Sequence, residues 1–338
     1  NIKQLEKNIK KVGVVVDWKE SRMLLESFSK KNFLVIGDIM LDTYVFGTIN
    51  RISPEAPVPV VETLNVQNKL GGAANVALNL TSLGASVMLA GVLGNDDEGK
   101  QIEDLLKSND IELIKVISST NRPSTQKLRI IADGHQIMRV DNEKTENISI
   151  SNSEKLISRL KEILTNIDGV ILQDYNKGVL NKLNIENIIG VCNSFNIPVY
   201  VDPKEKNFFQ YKNTRLVKPN LSEFCAATNQ EKLTKDFAFD LIKKLDCEIL
   251  LITKGSHGIS LFDKSNHFQS PTYARKIHDV SGAGDTVIAA FALCDVCNVD
   301  YKTSAEIANQ AAGLVCEEVG VVPISKDSFK DIIGKFNL

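Results

Sequence analysis

Residues 278–286 read His278-Asp279-Val280-Ser281-Gly282-Ala283-Gly284-Asp285-Thr286 and run directly into the apolar stretch Val287-Ile288-Ala289-Ala290-Phe291-Ala292-Leu293. Two glycines flanking an alanine leave room for successive backbone N–H groups to converge on one point. The helix that follows adds the positive end of its dipole there. This spacing predicts a cradle for negative charge formed by Gly282, Ala283 and Gly284, with Asp285 inside it. A carboxylate in that position repels a phosphate unless it has a chemical task. The natural task is to accept the proton of a hydroxyl that attacks a phosphoryl group held in the cradle.

Other polar residues end strand-like runs elsewhere in the chain. Asp38 and Asp42 flank the end of the first one, in Gly37-Asp38-Ile39-Met40-Leu41-Asp42. Gly71-Gly72-Ala73-Ala74-Asn75 opens a helix, Asp174 follows Val170-Ile171-Leu172-Gln173, and Asp202-Pro203-Lys204 follows Val199-Tyr200-Val201. Lys218-Pro219-Asn220-Leu221-Ser222-Glu223 and Thr253-Lys254-Gly255-Ser256-His257-Gly258 follow two more. Alone, each reads as a helix N-cap or a turn residue. Together they define one rim, because ligands of an open α/β sheet bind outside the carboxyl ends of its strands.

The elements that position this rim alternate. Strands are predicted at 33–36, 87–92, 112–117, 169–172, 198–201 and 248–252. Helices are predicted at 76–83, 101–108, 153–164, 185–195 and 237–245, and three more close the chain near 284–297, 303–318 and 326–335. This rhythm implies a mostly parallel sheet covered on both faces. Residues 1–31 read as an amphipathic helical leader and 32–338 as one domain. Two stretches depart from the rhythm: the β-formers and prolines of 43–63, and 125–140, which turns at Asp133-Gly134. They predict a small antiparallel sheet that stands off the main one as a lid and excludes water.

Bulk properties exclude several function classes. The chain has 338 residues, 43% hydrophobic and 24% charged, with 40 basic and 42 acidic residues. That balance gives no footprint for nucleic acid or an anionic membrane. No apolar run approaches the roughly 20 residues of a membrane span, and the first residues lack the apolar core of a signal peptide. The expected compartment is the cytoplasm. Six cysteines include the pair Cys294 and Cys297, which falls in an apolar helical stretch with no second pair and reads as reduced packing residues. The segment 94–101 nearly spells a phosphate-binding loop, but Gln101 stands where Ser or Thr holds magnesium and three acidic residues fill the loop; it reads as a turn and helix start. The dinucleotide fingerprint fails, because Val287 stands where a third glycine belongs.

Asp279-x-x-Gly282-Ala283-Gly284-Asp285, with the glycine-rich 71–75 segment, Asn220-x-x-Glu223 and Thr253-x-Gly255-x-x-Gly258, resembles the ribokinase-like (pfkB) carbohydrate kinases over about residues 33–336. The resemblance implies a three-layer α/β sandwich and an ATP- and Mg²⁺-dependent enzyme that phosphorylates a sugar hydroxyl. Asp285 then matches the catalytic base, and Ser281, Gly282, Ala283 and Gly284 the anion hole. Asn220 and Glu223 match the pair that organises Mg²⁺ through water. Thr253, Gly255 and Gly258 match residues along the nucleotide phosphates and ribose, and Asn309 one beside the adenine. Asp38, Asp42, Gly71, Gly72 and Asn75 match sugar contacts. Family members often bind a monovalent cation such as K⁺ near the segment matching Asp279.

Within the family, Arg51-Ile52-Ser53-Pro54-Glu55-Ala56-Pro57-Val58-Pro59-Val60 is similar to the lid segment of D-glycero-β-D-manno-heptose 7-phosphate kinases. Lys127-Leu128-Arg129, Asp174-Tyr175-x-Lys177-Gly178 and the two-glycine spacing before Asn75 fit the same subgroup. Such an acceptor already carries a phosphate, so its site needs cations; Arg51, Lys127, Arg129, Lys177 and Lys204 are the candidates, with Asp174 beside them. Many relatives continue into a nucleotidyltransferase domain; here no H-x-G-H is present, and a kinase working alone is expected. Kinases of ribose, fructose or fructose phosphate are rivals within the class. A non-catalytic sugar or nucleotide sensor and a dinucleotide-dependent oxidoreductase are rivals from outside it. The lid strands also present edges that a second copy can pair with, so a homodimer is expected.

Overall fold

Alternation within single strands explains the layering. The computed structural model describes residues 18–115, 122–273, 280–318 and 320–336. Its elements are α1 (Trp18–Phe28), β1 (Asn32–Gly37), β2 (Ile39–Ile52), β3 (Pro59–Gly72), α2 (Ala73–Ser82), β4 (Ser86–Gly91), α3 (Asp97–Ser108), β5 (Ile111–Lys115), β6 (Thr125–Ala132), β7 (His135–Asn142) and α4 (Ile150–Ile163). There follow β8 (Gly169–Gln173), α5 (Lys182–Ser194), β9 (Val199–Asp202), β10 (Leu216–Val217), α6 (Leu221–Thr228), α7 (Lys235–Leu245), β11 (Ile249–Thr253), β12 (Ile259–Phe262), β13 (His267–Ser270), α8 (Ala283–Val296), α9 (Tyr301–Val315) and α10 (Lys326–Ile333).

In β1, Phe33 and Val35 join one core with α2, α8, α9 and α10, while Leu34 and Ile36 join another with α4 and α5. The same split recurs in β11, where Ile249 and Leu251 face the first core and Leu250 and Ile252 pack with α6 and α7. Strands buried on both faces read as continuous apolar runs, which is why the sequence shows them so clearly. The sheet runs β13-β12-β11-β10-β9-β8-β1-β4-β5. It is parallel from β11 to β5, and β12 and β13 form an antiparallel edge. The expected three-layer sandwich is present.

The second sheet, β3-β2-β6-β7, consists of the two expected antiparallel hairpins. They are joined by a parallel β2–β6 contact that local pattern does not predict. The β6–β7 turn places Asp133 and Gly134 at φ 51° and 80°, as a two-residue Asp-Gly turn requires. The first lid stretch extends beyond 43–63, because β2 starts immediately after β1 and β3 runs to Gly72. Lid and main sheet therefore share continuous chain at two points beside the rim.

The described part of the leader packs on the domain: Leu24, Leu25 and Phe28 are buried, and the Phe28 ring lies 5.9 Å from that of Phe329. Residues 1–17 lie outside the described set. Asp96 caps α3 and accepts from Gly99 N–H (2.9 Å), the turn and helix start expected there. The six cysteines are free thiols; Cys294 is buried and Cys297 Sγ accepts from Ser27 Oγ. Among the described residues no helix is long and apolar enough to cross a membrane.

Candidate active site

Helix α8 starts on Gly282, whose backbone lies in the left-handed region at φ 83°. A Cβ there would stand 2.9 Å from the Asn75 side-chain nitrogen, so turn and close approach both demand glycine. The first intrahelical bond runs from Thr286 N–H to Gly282 C=O (3.0 Å), and Ala283 N–H donates to Val280 C=O (3.3 Å). The amides left at the positive end of the helix are those of Gly284 and Asp285. Of the three amides expected to form the cradle, that of Ala283 is turned to Val280.

Asp285 is 5% exposed. Its Oδ2 accepts from Asn75 Nδ2 (2.7 Å), and its Oδ1 from Gln173 Nε2 (3.1 Å) and Tyr175 Oη (3.1 Å). Burial pushes the carboxyl up to about 7; the Asn75 and Tyr175 donors and Lys218 oppose this, and Asp202 adds to it. A carboxyl so poised can exchange a proton near neutral pH, the chemistry a general base requires. Lys218 is buried beside Gly284 and pairs with Asp202 Oδ2 (3.0 Å). Gln173 Nε2 also donates to Asp202 (3.1 Å), so one amide fixes both carboxylates.

A cleft of about 350 Å³ opens from the cradle. It is lined by Asn220, Glu223, Thr253, Gly255, Gly258 and Asn309, all expected on the nucleotide side. Asn220 and Glu223 form a reciprocal capping box at the start of α6, each side chain holding the other's backbone N–H at 2.8 Å. The remaining Glu223 oxygen is paired with Lys204 Nζ. Burial works against the Lys204 charge, yet Glu223 and Asp202 hold it above the usual lysine range. Asn309 Nδ2 donates to Pro271 C=O (2.6 Å) and Ser270 Oγ (3.2 Å), joining α9 to the end of β13. Ser281 sits in the turn before Gly282. Asp279 lies outside the described residues.

On the lid side the expected acceptor residues divide. Asn75 touches the base, and Gly71 packs so closely on Asp42 that a Cβ would meet Oδ2 at 2.2 Å. Gly72 is the N-cap of α2. Asp42 accepts from Arg129 Nη1 (2.5 Å). Lys127 and Lys177 both reach Glu143.

Asp38 is buried and accepts from the N–H groups of Tyr175 (2.9 Å), Lys177 (3.0 Å) and Val179 (3.2 Å). Burial, then Asp174, lifts it to about 6 despite those donors. Asp174 is fully buried and accepts from Tyr211 Oη (2.7 Å), Asn207 Nδ2 (3.0 Å) and Asn176 N–H (2.7 Å). These two acids, expected to hold the acceptor, gather the backbone N–H groups of the 174–179 loop. Arg51 is not brought to the rim: it is exposed, opposite Val60 near the distal end of the β2–β3 hairpin.

Sequence reasoning passed over Gln173, Tyr175, Asp202 and Lys218 as site residues. Their only signal was position at strand ends on the predicted rim.

Comparison with known proteins agrees with this fold. Residues 30–327 match the pfkB family carbohydrate kinase. The proteins named "Bifunctional protein HldE" from Aliarcobacter butzleri and Sulfurimonas denitrificans are 40% and 37% identical over 304 and 306 residues. These alignments take in 88% and 89% of this chain, which spans 63% and 64% of those relatives. The fold matches Escherichia coli phosphofructokinase-2 in complex with potassium (TM-score 0.74, 19% identity, 89% of this chain and 97% of that one). It also matches Arabidopsis thaliana ribokinase complexed with ribose and ATP (TM-score 0.70, 20% identity, 91% and 99%). The chain belongs to the pfkB family of carbohydrate kinases, phosphotransferases with an alcohol group as acceptor.

Proposed function

We propose that this kinase transfers the γ-phosphoryl of ATP to the C1 hydroxyl of D-glycero-β-D-manno-heptose 7-phosphate, giving the 1,7-bisphosphate, a step towards ADP-heptose for lipopolysaccharide. The observation that carries the reading is the joining of two features by one short loop. Tyr175 donates to the buried base Asp285, and Lys177, two residues on, enters a cationic corner with Lys127. A free sugar has no use for that corner; a sugar phosphate does. The lid segment at 51–60 and the HldE relatives support the same acceptor.

In this reading Asp285 accepts the C1 hydroxyl proton as the oxygen attacks in line. Asn75 and Gln173 hold the carboxylate so that one lone pair faces the acceptor. The amides of Gly284 and Asp285, with the helix dipole, hold the phosphoryl oxygens. Lys218 balances Asp202 at the same point, and the small sheet covers the acceptor and excludes water. Besides Asp285, the cleft is lined by the carboxylates Asp202 and Glu223, a donor set that fits Mg²⁺, which is commonly held by one or two carboxylates plus substrate phosphates and water. Asp202 and Glu223 would hold such an ion, which would supply neutralisation of charge on the nucleotide's phosphates. K⁺ near Asp279 belongs to the proposal on the family resemblance alone.

We place the reaction in the cytoplasm and the enzyme in a homodimer through the small sheet. Its strands β3 and β7 expose Leu64, Val66, Ile137, Met138 and Val140.

The test is a coupled ADP-release assay with heptose 7-phosphate, ribose, fructose and fructose phosphates. Heptose 7-phosphate is expected to give the highest kcat/KM. Faster turnover of an unphosphorylated sugar would overturn the assignment and favour a plain sugar kinase.

A further inference from the structure

The small sheet meets the main domain at a corner built from charge. Lys127 on β6 lies 3.3 Å from Asp141 Oδ2 and 3.5 Å from Glu143 Oε2. Lys177, from the loop after β8, lies 2.5 Å from Glu143 Oε1. Side-chain exposure is 15% for each lysine and 20% for Glu143. One glutamate is therefore shared by two ammonium groups that arrive from different sheets. Arg139 pairs with Asp141 (3.0 Å). Arg122 stands behind the corner and donates to the carbonyls of Glu146 (2.7 Å), Lys144 (3.1 Å) and Lys177.

Two half-buried ammonium groups this close repel unless an anion lies between them. Glu143 supplies a single negative charge on a flexible stem. A phosphate monoester carries about −1.5 to −2 charges and three acceptor oxygens, and so satisfies the same two donors better. The corner is also placed to serve the reaction. Tyr175 Oη touches Asp285, and Lys177 follows two residues later in the same loop, the N–H groups of both resting on Asp38 Oδ2. One loop therefore serves both places, and an acceptor whose reacting hydroxyl is at Asp285 is taken to carry its remote phosphate to the corner.

We infer that Glu143 is a placeholder: it occupies the position of the acceptor's remote phosphate between Lys127 and Lys177, and the acceptor displaces it. It thereby sets the selectivity. A neutral sugar leaves Glu143 in place and gains nothing. Free inorganic phosphate must displace Glu143 with no sugar contacts to compensate, so the corner stays closed to it. The inference rests on the phosphosugar reading above, but its test does not depend on turnover.

Inorganic phosphate is titrated calorimetrically into the full chain, into Glu143→Gln and into the Lys127→Met/Lys177→Met double variant. Replacing the carboxylate is expected to tighten phosphate binding roughly five- to tenfold, the sum of two partly exposed ion pairs. The double variant is expected to lose binding. Phosphate is also expected to become a competitive inhibitor against the phosphosugar in Glu143→Gln. Glu143→Asp, which withdraws the carboxylate by one methylene, gives the same direction with smaller size if the glutamine variant folds poorly.

Unchanged or weaker phosphate binding in both variants overturns the placeholder and leaves Glu143 as a latch between the sheets. Tighter binding that survives loss of both lysines also overturns it. If phosphate binding behaves as expected while the wild type prefers an unphosphorylated sugar, the heptose assignment falls and the anion site stands.

Discussion

Helix α8 carries two buried aspartates, one in its first turn and one in its last, and they do opposite things. Asp285 is 5% exposed and Asp295 7%. Asp295 lies at the negative end of the helix dipole, where a carboxylate is disfavoured. Arg215 Nε and Nη2 clamp it at 2.9 Å each, and Tyr200 Oη donates at 2.6 Å. Asp285 lies at the positive end and also receives three donors, but all are neutral, and Lys218 nearby is engaged with Asp202. Residue type, helix and depth are shared. What differs is whether a cation touches the carboxylate. Direct contact makes a structural ion pair; its absence leaves a group that still exchanges a proton near neutral pH.

The largest effects test this contrast directly. Asp285→Asn is expected to lower kcat by about 10²–10⁴-fold while ATP still binds, measured by steady-state kinetics and nucleotide titration. Asp295→Asn leaves Arg215 without its partner. It is expected to cost about 3 kcal/mol of stability, at the low end for a broken buried pair because Arg215 is a quarter exposed. Its kcat should stay near wild type below the unfolding transition. Urea denaturation and kinetics on both variants check the pair. A large kcat loss in Asp295→Asn, or near-wild-type turnover in Asp285→Asn, would break the contrast.

A smaller effect follows from linkage. The Asp285 carboxyl moves from 3.8 up to about 7 on folding, chiefly through burial. Between those values the native state holds a proton that the unfolded state has released. Stability therefore falls as pH rises through this window, and the penalty is complete above about 7. Asp285→Asn lacks this titration. Relative to wild type it should gain on the order of 4 kcal/mol between pH 4 and pH 8, read from denaturation midpoints at each pH. Wild-type kcat/KM should rise over the same range, half-maximal near pH 7. A flat profile would mean that Asp285 is ionised throughout and is not the titrating base.

How far the sequence carried depended on whether a signal was local. The turn into helix α8, with Asp285 in its first turn, was legible because two glycines, a carboxylate and an apolar helix sit within a dozen residues. The main sheet was legible because strands buried on both faces leave unbroken apolar runs. Strands β12 and β13 escaped notice at four residues each. Helix α6 escaped too, although Asn220-x-x-Glu223 is a capping box that announces a helix start. The parallel β2–β6 contact depends on register between segments some 80 residues apart, which no window contains.

That Asp38 and Asp174 anchor a loop was not legible, for a related reason. A carboxylate at a strand end looks the same whether it faces a ligand or gathers backbone N–H groups beneath a loop. Lys127 and Lys177 were legible as cations, but Glu143, which holds both, carries no motif. Gln173 gave no signal beyond its place at a strand end, since an amide has no chemical signature until the two carboxylates it bridges are in view.

The finest test concerns Tyr175, whose hydroxyl donates to Asp285 Oδ1 and which, under the proposed function, tunes the base without joining the chemistry. Burial, then the Asp285 charge, pushes its hydroxyl well above 10, so it remains a neutral donor across the working range. Tyr175→Phe removes one of two donors to Asp285 Oδ1 and leaves Gln173 in place. With less stabilisation of the carboxylate, the midpoint of the kcat/KM profile should move upward by roughly half a unit to one unit. Activity should then drop severalfold at pH 6 and return to near wild type at pH 9. A tyrosine that itself exchanged the acceptor's proton would leave a deficit at every pH. Recovery at alkaline pH therefore separates a residue that sets the strength of the base from one that replaces it.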